Sequence, residues 1–274
     1  MNKKIIDSFD TTNLYLLMNK VKSPKAVVII VHGLAEYGER YNYFANALNS
    51  KNISVYRFDL RGHGKSGGQK GWVDKYEDYI NDLGEIVSLA KKENENLPVF
   101  IFGHSMGGFI SAGYGIKHKN EVDGIILSAA ALRKPEDVKG IKGIFVSILN
   151  KIYPSFKMKN NLGKLVSRDK KIVEKYEKDP LILRRISIKL YYEFLIEGID
   201  WLQKKVKGFN YKTLILHGKD DKIINHESSI EFMENISSDD KNLIIYDDLY
   251  HEILNEKEKD KVIIDIINWI EERI

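Results

Sequence analysis

The run from Lys25 to Val31 is apolar and β-branched and ends in His32-Gly33, a pattern that predicts a strand buried on both faces of a parallel sheet. Ile53 to Phe58, Val99 to Phe102 and Gly124 to Leu127 repeat it, each flanked by Gly, Pro or Asp and separated by helix-length stretches of mixed polarity. Thr213 to Leu216 and Leu243 to Tyr246 follow after a long interval, and Val262 to Trp269 carries apolar residues at helical spacing. Such alternation implies an α/β fold: a mostly parallel central sheet flanked by helices on both faces. Ile5 to Met18 reads as an N-terminal hairpin.

The interval 131–207 breaks the alternation. Its pattern is helical with no convincing strand, so the chain is expected to divide into a core made of 1–130 and 208–274 and an inserted helical cap at 131–207. Charge separates along the same boundary. The cap segment holds 19 Lys and Arg against 9 Asp and Glu, a local charge of +10, which leaves −6 for the rest of a chain whose net charge is +4. That total is too small to argue for nucleic acid, and no basic run interleaved with aromatics is present.

With 274 residues, 43 % of them hydrophobic, the chain is long enough for one large α/β domain with an insertion. Asp7, Ser8 and Asp10 interrupt what would be the apolar part of a secretory signal, and no run reaches the roughly 20 apolar residues of a membrane span. The lack of cysteine rules out disulfides, thiolate catalysis and Cys-based zinc sites and fits a reducing cytoplasm. Covalent chemistry is left to oxygen or nitrogen nucleophiles. The histidines show no metal-ligand spacing with a carboxylate, so no metal and no cofactor is assigned.

The strongest local signal is Gly103-His104-Ser105-Met106-Gly107, with an apolar strand before it and the small-residue run Gly108 to Gly115 after it. A nucleophile elbow needs this arrangement, because the serine occupies a strained strand-to-helix turn in which larger neighbours would clash with the backbone. Helix capping would explain Ser105 alone, but not the partners downstream. Acids stand after one late strand, at Asp220 and Asp221, and His251 stands in the loop after the last. The chain order Ser, Asp, His is the one an elbow requires. His251 would take the proton from Ser105, and either Asp220 or Asp221 would orient the imidazole. Asp247 and Asp248 lie too near His251 and read as a turn leaving the strand. Two backbone N–H groups, those of Leu34 and Met106, are the expected oxyanion hole; losing one such donor typically costs on the order of 100-fold to 1000-fold in rate. His63, His118 and His226 read as surface or helix-end residues, and His104 and His217 as spacers.

His32 to Tyr41 (HGLAEYGERY), Asp59 to Ser66 (DLRGHGKS), Gly103 to Gly108 (GHSMGG), Ser167-Arg168-Asp169 with Asp179-Pro180-Leu181, Gly218 to Asp221 (GKDD) and Tyr250-His251-Glu252 stand in this order along the chain. Together they resemble the monoacylglycerol lipase and lysophospholipase family of α/β-hydrolases. The resemblance covers nearly the whole chain and favours Asp221 over Asp220, since related enzymes place the acid three residues after the glycine. It departs at Ala35, where glycine is frequent, and at Tyr37, where histidine is frequent. What it implies is an α/β-hydrolase fold and hydrolysis of the fatty-acyl ester of a monoacylglycerol through an acyl-serine intermediate. A lysophospholipase or general carboxylesterase is the nearest alternative; a thioesterase, an aminopeptidase and a non-catalytic ligand-binding protein are more distant ones. Asp59 to Ser66 reads as a structural turn.

In the cap, Ile141, Ile144, Phe145, Ile148, Leu149 and Ile152 form one apolar stripe ending before Pro154, flanked by Lys139, Lys142 and Lys151. Two uses fit it. The stripe packs on the body or lines an acyl pocket, or part of it dips into a lipid surface, with the basic cap drawn to anionic head groups. The expected partner is therefore a lipid ester, with peripheral contact to an anionic membrane through the cap, and the expected location is cytoplasmic, extending to the periphery of the inner membrane face. How Phe145, Tyr153, Phe156, Tyr191, Tyr192, Phe194 and Trp201 divide between pocket and surface sets the acyl preference.

Overall fold

The computed structural model describes residues 1–135, 138 and 140–274, with every side chain among them except those of Ile141 and Lys142. Its strands are β1 (Asn2–Asp7), β2 (Asn13–Asn19), β3 (Ala26–Val31), β4 (Ile53–Phe58), β5 (Val99–His104), β6 (Gly124–Ser128), β7 (Lys157–Lys159), β8 (Arg185–Ser187), β9 (Thr213–Gly218) and β10 (Lys241–Tyr246). Eight of them form one sheet in the order β1-β2-β4-β3-β5-β6-β9-β10. β2 is antiparallel to both β1 and β4, and every other pairing in this sheet is parallel. From β3 the chain moves to β4 on one side and later to β5 on the other. The strand order reverses there, and a crevice opens beyond the carboxyl ends of β3 and β5, where open α/β sheets bind ligands.

Side-chain alternation along β3 shows why the run had to be wholly apolar. Val27, Ile29 and Val31 face a core shared with α2 (Tyr76–Glu93) and α3 (Met106–Lys117), whereas Ala26, Val28 and Ile30 face a second core with α1 (Asn42–Ser50) and α9 (Lys259–Glu271). Both faces are covered by helices, so a polar residue in this strand would be stranded away from water.

Between β6 and β9 the chain leaves the sheet and runs through α4 (Ile141–Ile152), β7, α5 (Lys170–Lys178), β8, α6 (Ile188–Tyr192), a π-helical turn (Glu193–Gly198) and α7 (Ile199–Lys205); α8 (Glu227–Asn235) follows β9. This interval differs from the all-helical pattern expected of it, since β7 and β8 pair antiparallel across Met158 and Ile186. Three-residue strands are too short to leave a period-2 signature, and their pairing partner lies far along the chain. On α4, Ile144, Phe145, Ile148 and Ile152 are exposed, by 62 %, 63 %, 51 % and 76 %, while Leu149 is half-buried. Lys139 and the side chains of Ile141 and Lys142 lie outside the described residues. No helix among the described residues is long and apolar enough to cross a membrane.

His63 is fully buried rather than on the surface, edge-on to His32 at 5.5 Å between ring centres, and burial holds its pKa down at about 3. The Asp59 carboxylate closes the turn around it, accepting from the N–H groups of Gly38 at 2.8 Å and Lys65 at 2.7 Å.

Ile101 in the central strand β5 is fully buried. Ile101→Ala should destabilise the protein by about 2–5 kcal/mol, read as a lower urea midpoint with unchanged slope.

Candidate active site

The chain leaves β5 at His104 and enters α3 at Met106, so Ser105 alone makes the turn, with φ 53° and ψ −117°. A side chain held in such a region costs roughly 1–3 kcal/mol, and the surroundings must enforce it. They do so by backbone packing. A Cβ on Gly107 would stand 2.1 Å from the Val31 carbonyl oxygen, and one on Gly103 would stand 2.4 Å from that of Gly107. The Ser105 N–H donates to the Ser128 carbonyl at 3.0 Å, and its own carbonyl accepts from the Ala131 N–H at 3.1 Å. β3, β5, β6 and α3 therefore grip the turn from all sides.

The donors expected for an oxyanion flank this serine. Met106 opens α3, and the first N–H groups of a helix have no carbonyl partner within it. Leu34 lies in the loop after β3, which passes so close that a Cβ on Gly33 would be 3.1 Å from the Ser105 Cβ. Leu34 and Ser105 line one cavity.

The expected acid and base, Asp221 and His251, meet because two loops pack backbone against backbone. A Cβ on Gly218 would lie 2.4 Å from the Leu249 carbonyl oxygen and 2.5 Å from that of Tyr250. His251 Nδ1 then donates to Asp221 Oδ2 at 2.7 Å. Asp221 Oδ1 accepts from the N–H groups of Ile223 at 2.7 Å and Ile224 at 3.0 Å. Burial works to raise the Asp221 pKa, but the charge and hydrogen bonds of His251 and His217 outweigh it and hold the carboxyl well below the usual range. His251, 4 % exposed, is desolvated in the opposite sense, yet Asp221, Glu252 and Glu36 together raise its pKa. Its ring centre lies 4.7 Å from that of His104, the residue before Ser105. Burial, and then His251, push His104 down to about 4.

His217 is more than a strand-end spacer. Its Nε2 lies 3.1 Å from Asp221 Oδ2 and 3.0 Å from the Ile224 carbonyl, both acceptors, so it is an N–H donor to the acid that holds His251. Nδ1 meets the Ser229 hydroxyl at 2.7 Å. A second site feature that the motifs did not single out is the ion pairing of Arg40 with Glu36 and Glu252. His118 and His226 stand at the ends of α3 and α8.

The two departures from the first motif have structural counterparts. Ala35 sits at φ 68° with its side chain buried, the backbone region that favours glycine, and its carbonyl accepts from the Leu183 N–H at 2.9 Å. Tyr37 donates its hydroxyl to Asp179 at 2.5 Å. Both contacts tie the loop after β3 to the segment between β6 and β9.

Above Ser105 lies a cavity of 340 Å³ with largely apolar walls. Leu34 and Ala131 come from the sheet side, and Met158, Ile186, Tyr191, Phe194 and Leu195 from the segment between β6 and β9. Its polar members include Arg133, Lys159, Asn160 and Asn161, and no carboxylate lines it among the described residues. Phe145, Tyr153 and Phe156 are exposed, and Trp201 packs on Tyr76 at 5.6 Å between ring centres.

Gly107→Ala would force α3 off β3. We expect a loss of about 1–3 kcal/mol, measured as a drop in urea midpoint, and an unchanged midpoint would mean that the elbow has slack.

The pattern of the family described as "Serine aminopeptidase, S33" matches residues 22–258. A monoacylglycerol lipase of Mycolicibacterium smegmatis is 30 % identical over 247 residues, covering 90 % of this chain and 88 % of that protein. Phospholipase YtpA of Bacillus subtilis is 30 % identical over 89 % of this chain and 94 % of its own length. The crystal structure of Paleococcus ferrophilus monoacylglycerol lipase superposes with a TM-score of 0.86 at 28 % identity, over 95 % of this chain and 99 % of that one. With a strained serine at the switch point of a parallel sheet and these relatives, the chain belongs to the serine aminopeptidase S33 family and is an α/β-hydrolase of the carboxylic-ester-hydrolysing type.

Proposed function

We propose that the protein hydrolyses the fatty-acyl ester of monoacylglycerols, with Ser105 as nucleophile, His251 as base and Asp221 as the orienting acid. The observation that carries the reading is the opening of the Ser105 turn into an apolar cavity beside a buried Asp221–His251 pair. Ser105 Oγ attacks the ester carbonyl carbon while its proton passes to His251 Nε2. The Leu34 and Met106 N–H groups hold the negative charge that forms on the carbonyl oxygen. As the tetrahedral intermediate collapses, the C–O bond to glycerol breaks and His251 gives its proton to the departing oxygen. Water then attacks the acyl-serine by the same route, with His251 again taking the proton, and releases the fatty acid.

A monoacylglycerol is favoured over a peptide because an aminopeptidase needs an anionic partner for the substrate's α-ammonium, and the described walls of the cavity offer none. In this reading residues 131–207 act as the cap, supplying the acyl-binding wall, over a catalytic core of 1–130 and 208–274. The relatives named as a monoacylglycerol lipase and a phospholipase support the lipid-ester class.

Ser105→Ala should abolish both fluorophosphonate labelling and hydrolysis, a loss of at least about 10⁴-fold. Among substrates, long-chain monoacylglycerol should be cleaved faster than lysophosphatidylcholine or p-nitrophenyl acetate. A flat preference for the short ester would remove the lipase reading.

The same reading includes peripheral membrane contact. Ile144, Phe145, Ile148 and Ile152 share the outward face of α4, which with exposed Tyr153 and Phe156 leads toward β7 at the cavity wall, in a segment of local charge +10. The protein should co-sediment with phosphatidylglycerol vesicles in preference to phosphatidylcholine, and Phe145→Asp should weaken that binding about tenfold while leaving hydrolysis of a soluble p-nitrophenyl ester unchanged. Equal binding to both vesicles, or to neither, would remove the membrane contact.

A further inference from the structure

A buried ion cluster is built on Glu252, the residue that follows His251. Arg40 Nη1 is 2.6 Å from Glu36 Oε2 and 2.7 Å from Glu252 Oε1, and Nη2 is 2.8 Å from Glu252 Oε2. The three side chains are 11 %, 4 % and 6 % exposed. Glu36 Oε1 accepts from the Gly33 N–H at 2.6 Å and the Tyr41 hydroxyl at 2.8 Å. Glu252 directly follows His251, and Gly33 directly precedes Leu34. One guanidinium therefore joins a carboxylate bonded to the backbone beside the oxyanion donor with a carboxylate one residue from the base. The opposite face of the fork is covered by Tyr176 of α5, whose ring centre lies 5.1 Å from Arg40 Cζ. Asn160 Nδ2 donates to the Tyr176 hydroxyl at 3.1 Å, and Asn160 lines the cavity.

Stability alone is a poor account of this cluster. Desolvating three charges consumes most of what their mutual attraction returns, and an apolar filling of the same shape would hold as well. What the charges add is direction, because a guanidinium offers its donors in a rigid planar fork that an ammonium cannot imitate.

We propose that Arg40 is a positioning residue for the hydrolysis: by holding Glu36 and Glu252 in one fork it sets the loop carrying the Leu34 donor against the loop carrying His251. Arg40 touches neither substrate nor reacting atoms and acts through its two carboxylates. The proposal rests on the reading of Ser105, Asp221 and His251 as the catalytic set. It also makes the bridge, with its net charge of minus one, part of the field at His251, alongside Asp221 from the loop after β9 and the His104 ring from β5.

Two variants of the full chain test it, assayed with p-nitrophenyl butyrate and titrated with a fluorophosphonate. Arg40→Lys keeps the charge and loses the fork; kcat per labelled site should fall about 10-fold to 100-fold while KM stays within about twofold. The triple variant Glu36→Gln, Arg40→Met, Glu252→Gln keeps the shape and removes the charges, and is read alone if Arg40→Lys does not fold. Its kcat should fall similarly, and the acid limb of its kcat/KM profile should move to lower pH, because a negative field that favours the imidazolium is gone. A kcat per labelled site within about twofold of wild type, or a loss of activity that only tracks the labelled fraction with the acid limb unmoved, would overturn the proposal. If the wild-type protein takes no label at Ser105, the catalytic reading fails instead, whatever Arg40 does.

Discussion

Everything at the centre of this molecule depends on one backbone contact, the packing of Gly107 against the Val31 carbonyl. It brings the first turn of α3 onto β3 and leaves Ser105 no conformation but the strained one at φ 53°. From that constraint follow the placement of Ser105 at the cavity and the nearness of the loop that carries Leu34. The strain is affordable because β5 is central, flanked by β3 and β6, and covered by helices on both faces. An edge strand would relax around such a turn.

Around the serine the protein separates two environments. On one side a cavity of 340 Å³ is walled largely by apolar side chains, with cationic and amide groups but no carboxylate among its described residues. On the other, charge is buried but fully answered. Asp221 accepts from His251, His217, Ile223 and Ile224, and so stays ionised despite complete burial of its side chain. The bridge of Arg40 with Glu36 and Glu252 repeats the principle one layer further out. An ester can thus sit against largely apolar walls while the buried groups beside it keep fixed dipoles and charges, the condition under which electrostatic stabilisation is strongest.

Much of this was legible along the chain. Runs such as Ala26 to Val31 announce buried parallel strands, since a short, β-branched stretch with apolar residues on both faces fits a strand covered on both sides. The Gly-x-Ser-x-Gly segment states its own geometry, because the glycines are needed for steric reasons that act within a few residues. The apolar stripe on α4 was readable by period, yet period alone could not say which way it faces. Its exposure depends on what lies beneath α4, and only the packed chain supplies that.

The pairing of β7 with β8 and the burial of His63 escaped the pattern for related reasons, the strands being too short to have a period and the histidine enclosed by residues distant in sequence. The contact of Asp221 with His251 spans 30 residues, and that of Arg40 with Glu252 spans 212. Hydrophobic periodicity and local sterics act over a turn or a strand, so by itself the sequence determined the sheet, the elbow at Ser105 and the set of chemically competent side chains. Which carboxylate faces His251, that His217 shares it, and that one guanidinium ties both loops together were decided only by tertiary structure, because loop ends meet through the packing of the elements that carry them.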